Sequence, residues 1–378
     1  DRPARDIVDI DKTQANAGAR FIQSHYIPAQ STLIVVGSVD TDDVAKHIEL
    51  AFDSLPAAQP VAPLETALKP AAKPVVVIEQ DPEFIKDVVQ LLAFTAPEAG
   101  VRDITQVRRQ TIETLAFAAL TDRIAELSQD AESAVRAGVA FSYNDAGTLR
   151  VSSIVLLGDP ASWTSLAHSS IEELRRAAVH GFDAALLAST KARLRASLQR
   201  SILDDQSNTS ARAMRLADQL ARGDVPISPQ AHAELAGRLL DGIRNEEVAA
   251  AIAARLNPMH AGYLVVTAHM DEQGRTRFQQ SMPHALRTVP APVVSEPLLD
   301  TLLPEAPESG KVERLHVDAA SGVLTVQSPA GARDHVRELR ATPGRVAAAL
   351  AISGGKVDEN ETSRGLTQAL ASRWLRPS

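Results

Sequence analysis

Apolar residues recur along this chain at two spacings, and the changes of spacing mark its elements. Over residues 12–26 they fall at Ala15, Ala19, Ile22 and Tyr26, one face of a helix that Pro28 stops. STLIVVGSV, residues 31–39, is almost continuously apolar and predicts a buried strand. The acidic cluster Asp40–Asp43 supplies an N-cap for a helix over 42–52, where Val44, Ile48 and Phe52 stand four apart. From Leu55 to Pro74, Pro and Ala dominate without any period, which predicts a linker.

A second unit opens with strands at VVVIEQ (75–80) and DVVQLLAF (87–94). Asp103 caps a long helix whose apolar positions are Ile104, Val107, Ile112, Leu115, Ala119, Ile124 and Leu127. Strands AGVAFSY (137–143) and LRVSSIVLL (149–157) flank the turn signal NDAG. Asp159-Pro160 predicts an N-cap followed by proline at the first helical position. Gly181 ends that helix, and Asp183 starts a longer one, bent or broken near DDQSNTS (204–210). Helices continue to Leu256, and GYLVVTA (262–268) is the last strand. A second linker, Val289 to Gly310, carries five prolines. Beyond it come a hairpin pattern over 311–329, a strand pattern over 345–355 and the start of a helix.

One motif repeats. Pro28 precedes Val35-Val36 by the same distances as Pro258 precedes Val265-Val266, each time as helix, proline stop, apolar strand. The repeat predicts two copies of one domain type, the first represented by its second half.

Composition narrows the class. The chain has 378 residues, enough for at least two cores, and a net charge of -8 that argues against a nucleic-acid partner. The basic run KARLRASLQR (191–200) alternates with apolar residues as a solvated helix face does. Aromatics are 3%, so the cores must be aliphatic. Cysteine is absent, which excludes thiolate chemistry and fits an oxidising compartment; the periplasm is expected ahead of the cytoplasm. No run approaches the ~20 apolar residues of a membrane span. The chain opens on Asp1 rather than Met, so a removed targeting segment is compatible with it.

Candidate chemistry is sparse. No His-x-x-Glu-His, Gly-x-Ser-x-Gly or phosphate loop occurs. HVREL (335–339) has the first His and the Glu of a zinc helix, but Leu339 stands at the second His and the segment reads as extended. Asp43 with His47, and His232 with Glu234, read as surface residues.

Three stretches resemble the pitrilysin/insulinase family of zinc metallopeptidases, in its large four-domain bacterial form. Residues 21–52, with Phe21, Tyr26, Pro28 and Val35–Gly37, look like the later half of the family's first domain. Residues 169–198, with the His-Gly-Phe turn at 180–182, look like the second-domain helix pair. The hairpin SGVLTVQS, followed by AISGGKVDENETSRGLTQALA, looks like the start of a further copy. The resemblance implies an α/β (α+β) fold of tandem domains, each a mixed, mainly antiparallel sheet backed by long helices. The expected boundaries are 1–56 for the end of a first domain, 57–74 linker, 75–288 second domain, 289–311 linker and 312–378 the start of a third.

In that family two histidines of His-x-x-Glu-His bind zinc and the Glu acts as general base. Both this helix and a distal Glu ligand precede the Phe21–Gly37 pattern, so the catalytic half-domain is expected upstream of Asp1. Laying the family's Gly-Leu-Ala-His-x-x-Glu-His on Gly365-Leu366 puts Gln368, Ala371 and Ser372 at the three chemical positions, none able to do the zinc chemistry. The resemblance also nominates Arg136 and Tyr143 as a pair that hydrogen-bonds a substrate carbonyl. The implied function is a structural and peptide-enclosing wall of a zinc endopeptidase, with zinc expected in the full-length enzyme and none in this chain. Its partners would be peptide substrates and the remaining domains or a homologous subunit. The alternatives are a non-catalytic scaffold subunit of the same family and an unrelated two-domain α/β protein.

Overall fold

The computed structural model describes residues 16–55, 73–145, 149–269, 272–293, 314–329, 331–338, 351 and 354–367. The chain divides into two compact units, residues 1–295 and 296–378. The first is built on a five-stranded sheet of β1 (Val75–Gln80), β2 (Asp87–Thr95), β3 (Val135–Asp145), β4 (Leu149–Gly158) and β5 (Gly262–Thr267). Its order is β1-β5-β2-β4-β3. β1 runs parallel to β5 and every other pair is antiparallel, so the sheet is mixed and mainly antiparallel.

Alternation sets which face is covered. Val89, Leu91 and Ala93 of β2, Ile154 and Leu156 of β4, and Tyr263 and Val265 of β5 are buried. Helices at Ile104–Leu127, Trp163–His180 and Asn245–Arg255 pack among them through Leu115, Leu120, Ile124, Leu166, Ile171, Leu174 and Ile252. The scarcity of aromatics leaves an aliphatic core, each leucine contributing about 1.5–3 kcal/mol by burial. In chain order the described helices of this unit are α1 (Ala17–His25), α2 (Thr41–Phe52), α3 (Ile104–Leu127), α4 (Trp163–His180), α5 (Ala184–Ser207), α6 (Thr209–Ala221), α7 (Pro229–Asp241), α8 (Asn245–Arg255) and α9 (Glu272–Arg287).

Most starts follow the local code. The Asp40 carboxylate accepts from the Asp42 and Asp43 amides, and Asp183 does the same for Ala185 and Leu186. Asp103 and Gln106 form a capping box on α3. Asn208 breaks the long helical run: its side chain accepts from the Ala211 amide and starts α6.

Asp159-Pro160 behaves differently from the expectation. Residues 159–162 close a turn, with Ser162 N–H on Asp159 O at 3.2 Å and Ala161 at φ 66°, so α4 begins only at Trp163. The cap comes from β2 instead: Asp87 Oδ2 accepts from the Trp163 amide at 2.8 Å. Asp159 turns to Arg136 (2.8 Å) and Lys86 (3.8 Å).

One further expectation needs correction. Residues 31–39 form no strand: the ladder needs a neighbour, and among the described residues this segment has none. Leu33, Val35 and Val39 stand about half exposed instead of buried. β5 is the last strand of this unit, as expected, and α9, which the apolar pattern does not announce, follows it. Its Phe278, Met282 and Leu286 are buried at four-residue spacing, a signal hidden by Pro283 inside the helix and by the polar residues around it. The expected linkers fall mainly outside the described residues.

The second unit contains β6 (Arg314–Val317), β7 (Leu324–Gln327) and β8 (Arg333–Val336), antiparallel in that order. The first hairpin turns through Gly322 at φ 67°, where glycine is unstrained. Of the strand pattern over 345–355, only 351, 354 and 355 lie within the described residues.

Removing the long-range cap should be felt. Asp87→Ala is expected to lower stability by about 1–2 kcal/mol in urea titration. Asp159→Ala loses only exposed ion pairs, and its effect should stay under about 1 kcal/mol.

Candidate functional site: a cleft between the long helix and the outer hairpin

Helix α3 lies against β3, and the two leave a cleft of about 500 Å³ between them. Gln110, Glu113, Thr114 and Phe117 line it from the helix, and Phe141, Tyr143 and Asn144 from the strand. The Phe141 and Tyr143 rings sit 5.8 Å apart, tilted by 36°.

The floor is ionic. Arg150 of β4 donates from Nε to Ser142 Oγ (3.1 Å), from Nη1 to Asn144 Oδ1 (3.0 Å) and from Nη2 to Glu113. Arg255, the last residue of α8, donates from Nε to the other Glu113 oxygen (3.0 Å) and from Nη2 to Glu98. Glu98 also lies 3.7 Å from Arg150 and from Arg109. Two carboxylates and two guanidiniums therefore alternate in a site where Glu113 is 7% exposed and Arg150 11%. Such burial is tolerated only with full pairing. The local sequence sets it up: the Asp103 cap fixes the phase of α3, and the hairpin register pairs Asn144 with Arg150 and Ser142 with Ser152.

This pairing decides the protonation states. Burial alone would raise the Glu98 carboxyl. The hydrogen bond from Arg255 and the charges of Arg255, Arg150 and Arg109 together outweigh it, and the net direction is downward. Burial, reinforced by the charge of Arg255, brings Arg150 down to about 10, still cationic at neutral pH. Glu247 of α8 is held at about 2, first by its hydrogen bond from Arg108 and then by the Arg244 amide. Carboxylates fixed in this way are weak bases. The cleft is equipped to bind, through its aromatic rings and its polar rim, rather than to move protons.

The nominated residues separate. Tyr143 is 49% exposed and faces the cleft. Arg136 stands near the other end of β3, about 23 Å along an extended strand, with Nε on Asp159 and Nη1 on Ser133 O at 2.6 Å. The structure does not bring them to one carbonyl. Gln368, Ala371, Ser372 and Leu339 lie outside the described residues. Just before the first three, the Glu359 carboxylate accepts from the Gly365 and Thr367 amides, each at 2.8 Å, and closes the helix start. His335 pairs with Thr325 across the β7–β8 ladder at 2.9 Å. His47 bonds the Asp43 carbonyl (2.7 Å), while the Asp43 carboxylate pairs with Lys46. His232 is lowered by burial, and Glu234 accepts from Gln230.

Sequence reasoning missed Glu98, Glu113, Arg150 and Arg255. The one available signal was Glu113 itself, a charge among the apolar positions of α3. Among the described residues no group of three His, Asp or Glu could hold a metal ion. No described helix is long and apolar enough to cross a membrane.

The ionic floor makes stability depend on pH. A carboxyl held low when folded contributes stability above its unfolded value of about 4.3 and loses it as pH falls through the folded value. Melting temperature should therefore drop on acidification below about pH 4. Glu98→Gln should flatten part of that slope while lowering stability at pH 7.

Residues 15–194 match the Peptidase M16 inactive domain. No curated protein matches the chain. Among solved structures, the periplasmic protease PqqL from Escherichia coli aligns with TM-score 0.65 and 18% identity, over 86% of this chain and 37% of PqqL. The ferredoxin protease FusC, solved with Arabidopsis ferredoxin, aligns with TM-score 0.62 and 17% identity, over 87% of this chain and 37% of its own. A Yersinia pestis protein described as a predicted insulinase family protease gives 0.59 and 19%, over 75% of this chain and 61% of its own. The chain thus spans little more than a third of PqqL. At these identities the structures show a common fold. Residues 15–194, just under half of the chain, are thus similar to the inactive domain of the M16 peptidases, and the solved structures share their fold with the chain.

Proposed function

We propose that this chain is a non-catalytic, peptide-enclosing wall of a zinc-dependent M16 endopeptidase. The observation that carries the reading is the pairing of an inactive-domain match with a sequence that contains no His-x-x-Glu-His. The zinc chemistry would belong to other domains of the same protein or to a homologous subunit. Peptides are the proposed ligands. FusC, a ferredoxin protease solved in complex with a ferredoxin, supports a polypeptide substrate. A periplasmic location is proposed on the absence of cysteine and the description of PqqL as periplasmic.

Within this wall the cleft beside Tyr143 is the proposed contact for a peptide side chain. An exposed phenol next to a second ring offers apolar area and one polar tip. Arg136 is bound to Asp159 and takes no part.

Two measurements test the reading. Metal analysis and cleavage of a quenched fluorescent peptide should find the 378-residue chain zinc-free and inert. The longest natural product containing it should be zinc-loaded and active. A zinc-free, inert longer protein would instead support the scaffold-subunit alternative. In anisotropy titrations of an unstructured peptide, Tyr143→Ala should weaken binding about threefold to tenfold, the range of a lost aromatic contact. Arg136→Ala should leave it unchanged.

A further inference from the structure

Helix α9 ends at Arg287, yet the chain beyond it stays on the first unit. Residues 288–293 are neither helix nor strand, and α4 holds three of their carbonyls, those of Thr288, Pro290 and Ala291. Arg175 donates from Nε to Thr288 O at 2.6 Å and from Nη2 to Arg287 O at 3.3 Å. His180 Nε2 bonds Pro290 O at 3.0 Å; a carbonyl only accepts, so this ring nitrogen carries the hydrogen. Arg176 Nε donates to Ala291 O at 2.8 Å. Its remaining nitrogens hold Glu172 (2.5 Å) and Glu173, so the guanidinium is oriented whether or not the segment is docked.

The sequence of the segment suits this use. Pro290 and Pro292 have no N–H, so the carbonyls are their only backbone polar groups. Proline also reduces the entropy lost when the segment is ordered. Pro292 and Val293 then close one side of a cavity of about 230 Å³ whose other walls include Ala177, Phe182 and Leu186. The rest of the segment is shallow: Val289 is 45% exposed. Only three hydrogen bonds to the segment's own carbonyls, at Thr288, Pro290 and Ala291, and one apolar contact hold it on α4, with a fourth bond to Arg287 O at the end of α9.

We infer that Arg175, Arg176 and His180 form a carbonyl clamp, and that residues 288–293 are a releasable strap. Docked, the strap withholds six residues from the chain that joins the two units. Released, it adds roughly 20 Å of reach at ~3.3–3.6 Å per residue. Opening of the clamp uncovers the cavity over Phe182.

The cysteine-free chain allows a clean test. A single thiol at Val293→Cys, a half-buried position, should react slowly with an aqueous maleimide. Adding Arg175→Ala with Arg176→Ala should speed the reaction at least fivefold, and His180→Ala alone should speed it measurably. Arg238→Ala, on the exposed side of α7, is the control and should change nothing. Arg176 also pairs with two glutamates, so circular dichroism must show that the double variant is folded. If it is not, Arg175→Ala and His180→Ala carry the test. Labelling rates equal to the parent in every folded clamp variant overturn the strap. So does a parent rate as fast as that of a free peptide thiol.

Discussion

Two guanidiniums and two carboxylates, of which Arg150 and Glu113 are buried and Arg255 and Glu98 partly so, hold the first unit in register. Arg150 belongs to β4, Glu113 to α3, Arg255 to the end of α8 and Glu98 to the segment after β2. Each charge has two opposite neighbours, so none can leave without stranding another in a poorly solvated site. The apolar core would accept small slides of helix on sheet, because dispersion contacts are not directional. The ionic floor does not, since charge-assisted hydrogen bonds from Arg150 and Arg255 to the two oxygens of Glu113 depend on distance and direction. Core and floor therefore divide the work: one supplies cohesion, the other fixes the phase of α3 against the hairpin that shapes the cleft.

What the sequence disclosed was mostly local. Asp103, Asp183 and Asp40 announce their helices because a cap and its amides lie within three residues. Alternation exposes β2 because one face is buried. What it concealed was nonlocal. Asp87 caps a helix 76 residues away, so Asp159, the better local candidate, misleads. The Arg150–Glu113 pair spans 37 residues and leaves no spacing to read. Residues 31–39 have the composition of a strand, but a strand is a relation between segments. Of the nominated site residues, Tyr143 was found at a cleft and Arg136 at a remote surface pair. A spacing copied from a family does not carry the strand geometry that would make it a site.

The inactive-domain match over residues 15–194 gives the missing zinc motif a physical setting. The fold needs long helices across a sheet whether or not chemistry is done there. Glu113, in the middle of α3, illustrates this: a carboxylate in a cleft, yet bound on both oxygens by arginines. A general base must keep a lone pair for its substrate, and this one has given both sides to the architecture.

The parallel pair of β1 and β5 carries a consequence for how the chain acquires this structure. β1 is the edge strand, and its one described neighbour joins it only after nearly all of the intervening unit has been made. At a synthesis rate of ~5–20 residues per second, the partner emerges roughly ten to forty seconds later. Until then Val75 and Val77, still half exposed in the finished fold, sit on an unpaired hydrophobic segment. Sheet closure is thus a late event of high contact order.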